Sequence, residues 1–457
     1  MSKAQPSSLQ LTNQSLSAQA SGLSTKKRLL PITQLLNFDG IADGNSGWVV
    51  PDANGAPGAT QYVQFVNDRY AVYDKSTGAL IAGPTTGKAL WKNLGGPCAA
   101  NNNGDIIANY DKLAGVWVLT QFASGNGQFY QCFAVSTTSD ATGSFNLYAF
   151  PISTYWPDYP KMGVWPDGYY MSWNLQNQAK GYALVAPQVC AFDRVNMLAG
   201  NPATSVCFQL SSSYSSLLPA DLDGTIAPPS GSPNYLLNLD ANSVDLWQFH
   251  ADFQTPSNSY VNGPTNIPVN AFTESCGGHV CVPQPNTTQK LDSIADRLMY
   301  RLAYRNFGDH ESLLANHTVG SPAGVRWYEI RDPGGVPTVY QQGTINPDSS
   351  WRWMGSIAMD KMGNIAAGFS LSSRYIFPSI NYAIHLSTDP LGTMSGGVSV
   401  IRGTGSQTGK GRWGDYTAMT VDPTDDCTFW YTNEYLASNG SFNWRTRIAS
   451  FKFNNCN

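Results

Sequence analysis

Lys161-Met-Gly-Val-Trp-Pro-Asp167, followed at once by Tyr169-Tyr-Met-Ser-Trp173, decides how the rest of the chain is read. An apolar run of strand length meets an Asp-centred turn, and a second run rich in aromatic residues follows. Such a unit reads as two antiparallel strands with a tight connection. The unit recurs on both sides. Upstream, Gln61-Tyr-Val-Gln-Phe-Val-Asn-Asp68 precedes Tyr70-Ala-Val-Tyr73, and Asp105-Ile-Ile-Ala-Asn-Tyr-Asp111 precedes Val116-Trp-Val-Leu-Thr-Gln-Phe122. Downstream, residues 217–223 precede 235–239, residues 298–304 with Asp309 precede 311–317, residues 355–360 precede 364–369, and 415–422 precede 427–431. The turn aspartates 68, 111, 167, 223, 309, 360 and 422 lie 43 to 86 residues apart. A four-stranded blade with its loops takes about 40–50 residues or more. The pattern predicts an all-β, seven-bladed β-propeller, with the fourth unit the least regular.

Closure is also written in the chain. Trp444-Arg-Thr-Arg-Ile-Ala-Ser-Phe-Lys-Phe453 reads as the third strand of the last blade, and Leu35-Leu-Asn-Phe-Asp39 is expected to supply its outer strand. Pairing first and last segments in one blade removes an open sheet edge. The expected organisation is one propeller over residues 31–457, preceded by a tail or propeptide remnant over 1–30. A rival layout of two packed β domains needs a linker, and residues 45–457 offer none.

Composition narrows the class further. The 457 residues carry 27 Lys+Arg against 31 Asp+Glu, a net charge of −4, with 13% charged, 42% hydrophobic and 12% aromatic positions. That balance excludes a mainly disordered chain, and no basic patch is present to neutralise nucleic-acid phosphates. No apolar run approaches the roughly 18–20 residues of a membrane-spanning helix, and a soluble monomer is expected. Eight cysteines form an even set without a CxxC pair. Cys276-Gly-Gly-His279-Val-Cys281 is a tight cluster with no second half, so disulfides are preferred to zinc. Cys427–Cys456 and Cys190–Cys207 are the pairs expected, each between adjacent strands. Disulfides point to an oxidising compartment, hence a secreted or cell-surface protein. Met1-Ser2-Lys3-Ala4 opens no apolar signal segment, so the expectation is that the signal was removed and Met1 marks an expression start.

Two turns carry a resemblance. Ser136-Thr-Thr-Ser-Asp140-Ala-Thr-Gly143-Ser-Phe145 and Ser387-Thr-Asp389-Pro-Leu-Gly392-Thr-Met394 resemble degenerate Asp-boxes of sialidase-like propellers, S-x-D-x-G-x-T-W, with one residue too many between Asp and Gly. Over most of residues 36–453 the chain also resembles secreted bacterial β-propeller proteins of no established activity. The shared phrases are Tyr159-Pro-Lys-Met-Gly-Val-Trp-Pro-Asp167, Trp351-Arg-Trp-Met-Gly-Ser-Ile-Ala-Met-Asp360 and Arg412-Trp-Gly-Asp-Tyr416. The likeness implies fold and secretion, and it supplies no catalytic residues.

In a propeller the inner strands begin, and the second strands end, around the mouth of the axial channel. Those positions nominate Lys161, Trp173, Arg297, Arg352, Trp353, Arg412, Trp413 and Asp415 as ligand-binding residues. Arg352-Trp353 and Arg412-Trp413 repeat ahead of successive inner strands, and Arg297 is comparable in the blade before. Three guanidiniums could clamp a carboxylate, since each offers a planar fork of donors. Sialidases use such a cluster with a Tyr nucleophile, a paired Glu and an acid; Tyr416, Glu434 and Asp105 could fill these roles, and His317 could act as a general base. The favoured alternative is that the arginines tie blades together through carboxylates such as Asp296 and Asp415, because Arg-Trp at a strand start also packs well. No metal ligands or cofactor are assigned, although Asp221-Leu-Asp223-Gly and Asp425-Asp426 carry oxygens that calcium could take, without EF-hand spacing. The leading expectation is a propeller binding a glycan, including anionic carbohydrate, or another surface ligand at the channel mouth. A sialidase-like glycoside hydrolase or polysaccharide lyase is the alternative, and a structural or adhesive surface module is the third reading.

Overall fold

Short runs bounded by Gly, Pro, Asn and Asp become strands almost throughout the computed structural model, which describes residues 31–44 and 48–457. The expected tail over 1–30 lies outside the described residues. Chain order runs sheet by sheet. Strand β1 (Ile32–Ala42) comes first, then a sheet of β2 (Asn54–Pro57), β3 (Gln61–Val66), β4 (Arg69–Asp74) and β5 (Leu80–Thr86). The next contains β6 (Ile107–Asp111), β7 (Val116–Gly125), β8 (Gln128–Ser136) and β9 (Phe145–Ser153). Then come β10 (Trp156–Val164), β11 (Gly168–Asn177), β12 (Ala183–Asp193) and β13 (Ser205–Gln209). They are followed by β14 (Leu218–Asp223), β15 (Asn234–Asp240), β16 (Ser243–His250) and β17 (Tyr260–Pro268).

A two-stranded excursion, β18 (Val280–Val282) and β19 (Leu291–Asp292), separates these from β20 (Leu302–Asn306), β21 (Glu311–Val319), β22 (Gly324–Arg331) and β23 (Thr338–Ile345). The remaining strands are β24 (Trp351–Met359), β25 (Ile365–Ser372), β26 (Ser379–His385) and β27 (Val398–Ile401), then β28 (Ala418–Val421), β29 (Thr428–Tyr435) and β30 (Arg445–Phe453). Each group of four is an antiparallel meander. The β14–β17 and β20–β23 groups are fused by a parallel pairing of β14 with β20, from Ala220↔Leu302 to Asp223↔Arg305.

The first strand of each group touches the first strand of the next, from β2 through β6, β10, β14, β20, β24 and β28, and β28 returns to β2. These strands are buried on both faces, as all six residues of β14 show, which explains their continuous apolar runs rather than alternation. Outer strands such as β5 and β17 are mostly exposed. Aromatic residues fill the space between neighbouring sheets: Trp165 of one packs on Tyr304 of another, ring centroids 4.7 Å apart. Gly163 permits a close approach, since a Cβ there would lie 2.1 Å from the Ala220 carbonyl oxygen.

The last sheet is built from both ends of the described chain, in the order β1-β30-β29-β28. The register runs from Ile32↔Phe453 to Ala42↔Arg445, with the expected 35–39 segment as its outer strand. Six of the turn aspartates sit between first and second strands, as at Asp167 between β10 and β11. Asp68 does not: it follows β3, so Gln61–Val66 is a second strand rather than the inner one. The inner strand is β2, Asn54-Gly-Ala-Pro57, whose small residues carry no apolar signature. Both Asp-box-like turns join third to fourth strands, at β8–β9 and β26–β27.

Disulfides join Cys190–Cys207 and Cys427–Cys456, together with Cys98–Cys132 and Cys276–Cys281. The Cys276/His279/Cys281 cluster is therefore a crosslink. Four such bonds suit an oxidising, extracellular setting. Among the described residues no helix is long and apolar enough to cross a membrane.

Candidate functional site

Three segments entering inner strands bend through the left-handed region at Asp52 (φ +48°), Asp105 (φ +46°) and Tyr159 (φ +58°). Such backbone costs about 1–3 kcal/mol per non-glycine residue and collects at binding and catalytic sites. These bends bring charged groups from distant parts of the chain together. The Asp415 backbone N–H donates to Asp52 Oδ1 at 3.0 Å, and the Tyr159 N–H donates to Asp105 Oδ2 at 3.0 Å. Lys161 stands at the centre, fully buried. Its Nζ lies 3.4 Å from the ring centroid of Tyr159 and 3.9 Å from that of Tyr416, and donates to the Pro160 carbonyl at 2.8 Å. Arg297 forms a two-pronged pair with Asp296, both contacts 2.9 Å, with its guanidinium 4.8 Å from the Tyr159 ring. Arg412 bonds Asp415 and lies 3.6 Å from Asp292.

Electrostatics follow from this crowding. Burial, reinforced by the charge of Asp415, pushes the Asp52 carboxyl up to about 7. Burial and then Asp52 and Asp158 raise Asp105 well above the usual carboxylate range. Asp158 is raised by burial and by Asp415. Lys161 is driven down to about 8 by burial, against the pull of Asp105, Asp52, Asp415 and Asp158. Six aspartates (52, 105, 158, 292, 296 and 415) surround three cations, Lys161, Arg297 and Arg412. The site is acidic.

Of the nominated residues, the fold gathers Asp105, Lys161, Arg297, Arg412, Asp415, Tyr416 and Glu434 in this cluster. Tyr416 is buried and its hydroxyl donates to the Ile106 carbonyl at 2.8 Å. Glu434 accepts the Gly414 N–H on one oxygen, while the other is buried without a partner; burial favours its neutral acid form. Neither side chain hydrogen-bonds the other in the manner of a nucleophile and its base.

The other nominees serve packing or pairing. Arg352 is held by Asp348 through two contacts, 3.0 and 2.8 Å. Trp353 and Trp413 are buried with ring centroids 5.8 Å apart, and Trp173 is buried with its Nε1 donating to Gln131 at 3.2 Å. His317 is buried, bonded through Nε2 to the Tyr328 hydroxyl at 2.8 Å, and burial lowers its pKa to about 3. It is neutral and enclosed. The three arginines each sit on a carboxylate of the chain itself, so they do not form an empty carboxylate clamp. Asp296 and Asp415 are indeed partners, but of arginines in their own segments; only Asp292 reaches Arg412 from another element. The aspartates considered for calcium are likewise occupied: Arg301 takes Asp221 and Asp223, Arg305 takes Asp426, and Asp425 accepts the Cys427 and Thr428 N–H groups.

Asp52, Asp158, Tyr159 and Asp292 complete the cluster but were not nominated. One signal could have found Asp52: Asp52-Ala-Asn54 enters β2 as Asp105-Ile-Ile107 enters β6. Asp158 accepts from Trp156 Nε1 at 3.3 Å and from Gln176 Nε2 at 2.9 Å. Trp156 is half-buried, and its ring meets that of Tyr182, which is 52% exposed, edge-on at 6.1 Å. An aromatic surface therefore adjoins the acidic cluster, beside a carboxylate and an amide.

Solved structures similar to this chain include the WD40 domain of SCAP from fission yeast (9% identity, 86% of this chain and 82% of that one, TM-score 0.34). They also include Trypanosoma rangeli sialidase in complex with sialic acid (10% identity, 76% and 53%, TM-score 0.37) and the α-L-arabinofuranosidase from Podospora anserina in complex with cellotriose (10% identity, 65% and 90%, TM-score 0.32). No family model and no curated protein sequence matches the chain.

The elevated Asp52 carboxyl has a measurable consequence. Between about pH 4 and 7 the folded protein retains a proton that the unfolded chain, with a carboxyl at 3.8, has released. Stability therefore falls as pH rises through that window. Asp52→Asn keeps an acceptor for the Asp415 N–H and removes the titration. Denaturant unfolding should give similar stabilities for variant and parent at pH 4, with the variant more stable by about 1–3 kcal/mol at pH 8. Parallel pH profiles for the two proteins would refute this account.

Proposed function

We propose that the chain is a secreted, monomeric seven-bladed β-propeller, spanning residues 31–457, that binds a carbohydrate at the end of its ring where the inner strands begin. The closed circuit of first strands supports the blade count, and the disulfides support secretion. The observation that carries the binding reading is Trp156 beside Asp158 and Gln176 at the edge of the acidic cluster. An amphipathic ring offers area to a sugar's C–H face, while a carboxylate and an amide exchange hydrogen bonds with its hydroxyls. Net negative charge favours a neutral sugar over an acidic one at this place, because apposed like charges cost several kcal/mol. Glycan-array screening followed by titration calorimetry tests the reading. Trp156→Ala and Asp158→Asn should each weaken binding at least tenfold with unfolding midpoints close to the parent's. Undiminished binding by both variants would move the site elsewhere.

A hydrolytic second reading has one specific support: burial raises the Asp105 carboxyl well above the usual carboxylate range and Asp52 to about 7, the direction that general-acid work needs. Asp105 and Asp52 would be the candidates, in place of Tyr416 and Glu434. Turnover of chromogenic glycosides, lost in Asp105→Asn, would establish it; no turnover across a broad panel would leave binding alone.

A further inference from the structure

A pocket opens in the sheet of β24–β27, at the end where β25 finishes and β26 starts. It encloses about 340 Å³, within the size range of small-ligand sites. Leu371, Ile376 and Phe377 give it apolar walls. Three polar or aromatic groups along it are unused by the fold. Asn381 is only 7% exposed, yet its Oδ1 has no hydrogen-bond partner, an uncommon state for a buried acceptor. Arg402 is exposed at the rim, without a hydrogen-bond or ion-pair partner among the described residues. Tyr375 is 83% exposed, with the Arg374 guanidinium 6.0 Å from its ring centroid. The arginines of the acidic cluster are neutralised by carboxylates; this one is not.

We propose that this pocket binds an acidic sugar unit, a ring bearing a carboxylate or sulfate. Arg402 takes the anionic group through its planar fork of donors. Asn381 Oδ1 accepts a hydrogen bond from a hydroxyl, and Tyr375 covers the C–H face of the ring. The pocket is independent of the acidic cluster, whose charge opposes such a ligand. It also differs from the expected three-arginine clamp, because a single free guanidinium supplies the charge recognition.

The test titrates the full chain with trigalacturonate, galactose 6-sulfate, galactose and inorganic sulfate, using calorimetry and ligand-observed NMR. One or both acidic sugars should bind, and whichever arm binds identifies the acid. Galactose and sulfate alone should each be at least tenfold weaker. Arg402→Gln should reduce acidic-sugar affinity at least tenfold, and Tyr375→Ala several-fold; both residues are exposed, so both variants should melt with the parent. Asp158→Asn should leave this binding unchanged, which separates the pocket from the carbohydrate site proposed above. Absence of acidic-sugar binding would overturn the proposal, as would equal binding by Arg402→Gln and the parent. Sulfate binding as tightly as the sugars would reduce the pocket to a simple anion site and overturn the sugar assignment.

Discussion

Replacing Arg301 with methionine lowers the free energy of unfolding by about 3–5 kcal/mol, the usual cost of breaking a buried ion pair from one side. Arg301 is 1% exposed, with Nε 2.7 Å from Asp221 and Nη2 2.6 Å from Asp223, both carboxylates also buried. Its Nη1 donates to the Met419 carbonyl of β28 at 3.2 Å. Asp221 meanwhile accepts from Asn109 of β6 at 2.8 Å and from the Val164 N–H of β10 at 3.0 Å. One guanidinium thus serves a knot joining several of the inner strands. Burial pushes the Asp223 carboxyl up, but Arg301, Lys112 and Arg305 outweigh it and hold it at about 2. Without Arg301, two carboxylates are left side by side, with Lys112 and Arg305 as the remaining cations acting on Asp223. The loss should be largest near pH 7 and shrink toward pH 3, where the stranded carboxyls can protonate. Asp221→Asn and Asp223→Asn, added to the methionine variant, should recover part of the stability. Urea unfolding of the variants at both pH values reads the effect, and a loss below 1 kcal/mol at pH 7 would mean that the knot is dispensable.

Removing the chain through Ala42 is expected to have the larger consequence. The deletion strips the β1 ladder from β30 and leaves a long edge unpaired, the arrangement that drives edge-to-edge association. It also removes interior hydrogen bonds: Gln64 Oε1 accepts the Ile41 N–H at 2.7 Å, and the Thr446 hydroxyl donates to the Ile41 carbonyl at 2.6 Å. Each such hydrogen bond contributes about 0.5–1.5 kcal/mol. Size-exclusion chromatography should show assemblies in place of the parent species, together with a lower melting temperature. A synthetic 32–42 peptide added in trans should restore both, by strand addition. A truncated chain that elutes and melts like the parent would show that β1 contributes no closure.

The repeated strand–Asp–strand unit was legible because it serves a local need. Asp111, for example, accepts from the N–H groups of Leu113 and Ala114 and bonds Arg194 through both carboxylate oxygens. A turn and a crosslink from one residue type produce a mark that survives divergence of the flanking strands. The first group was misplaced by one strand because Asn54-Gly-Ala-Pro57 has neither length nor hydrophobic period, though its burial is complete. The site was harder to read for a geometric reason. Asp52, Asp105, Asp158, Asp292 and Asp415 sit in loops and near strand ends spread over more than 360 positions, and closure of the ring makes them neighbours. The Arg-Trp repetition recurs where Trp353 packs on Trp413, but the carboxylates that hold the two arginines, Asp348 for Arg352 and Asp415 with Asp292 for Arg412, follow no shared spacing.

The register Ile32↔Phe453 also sets a timetable for biogenesis. A ribosome adding about 5–20 residues per second needs roughly 20–85 s between making the two partners. Throughout that interval the growing polypeptide can form its meanders one after another, since their pairings are local. The final sheet cannot be completed until its last strand emerges. Export before closure would therefore move an open arc with two unsatisfied flanks, in need of a holding factor or of swift translocation. In that case closure would belong to the compartment in which the cysteines oxidise, and the two events would finish the molecule together.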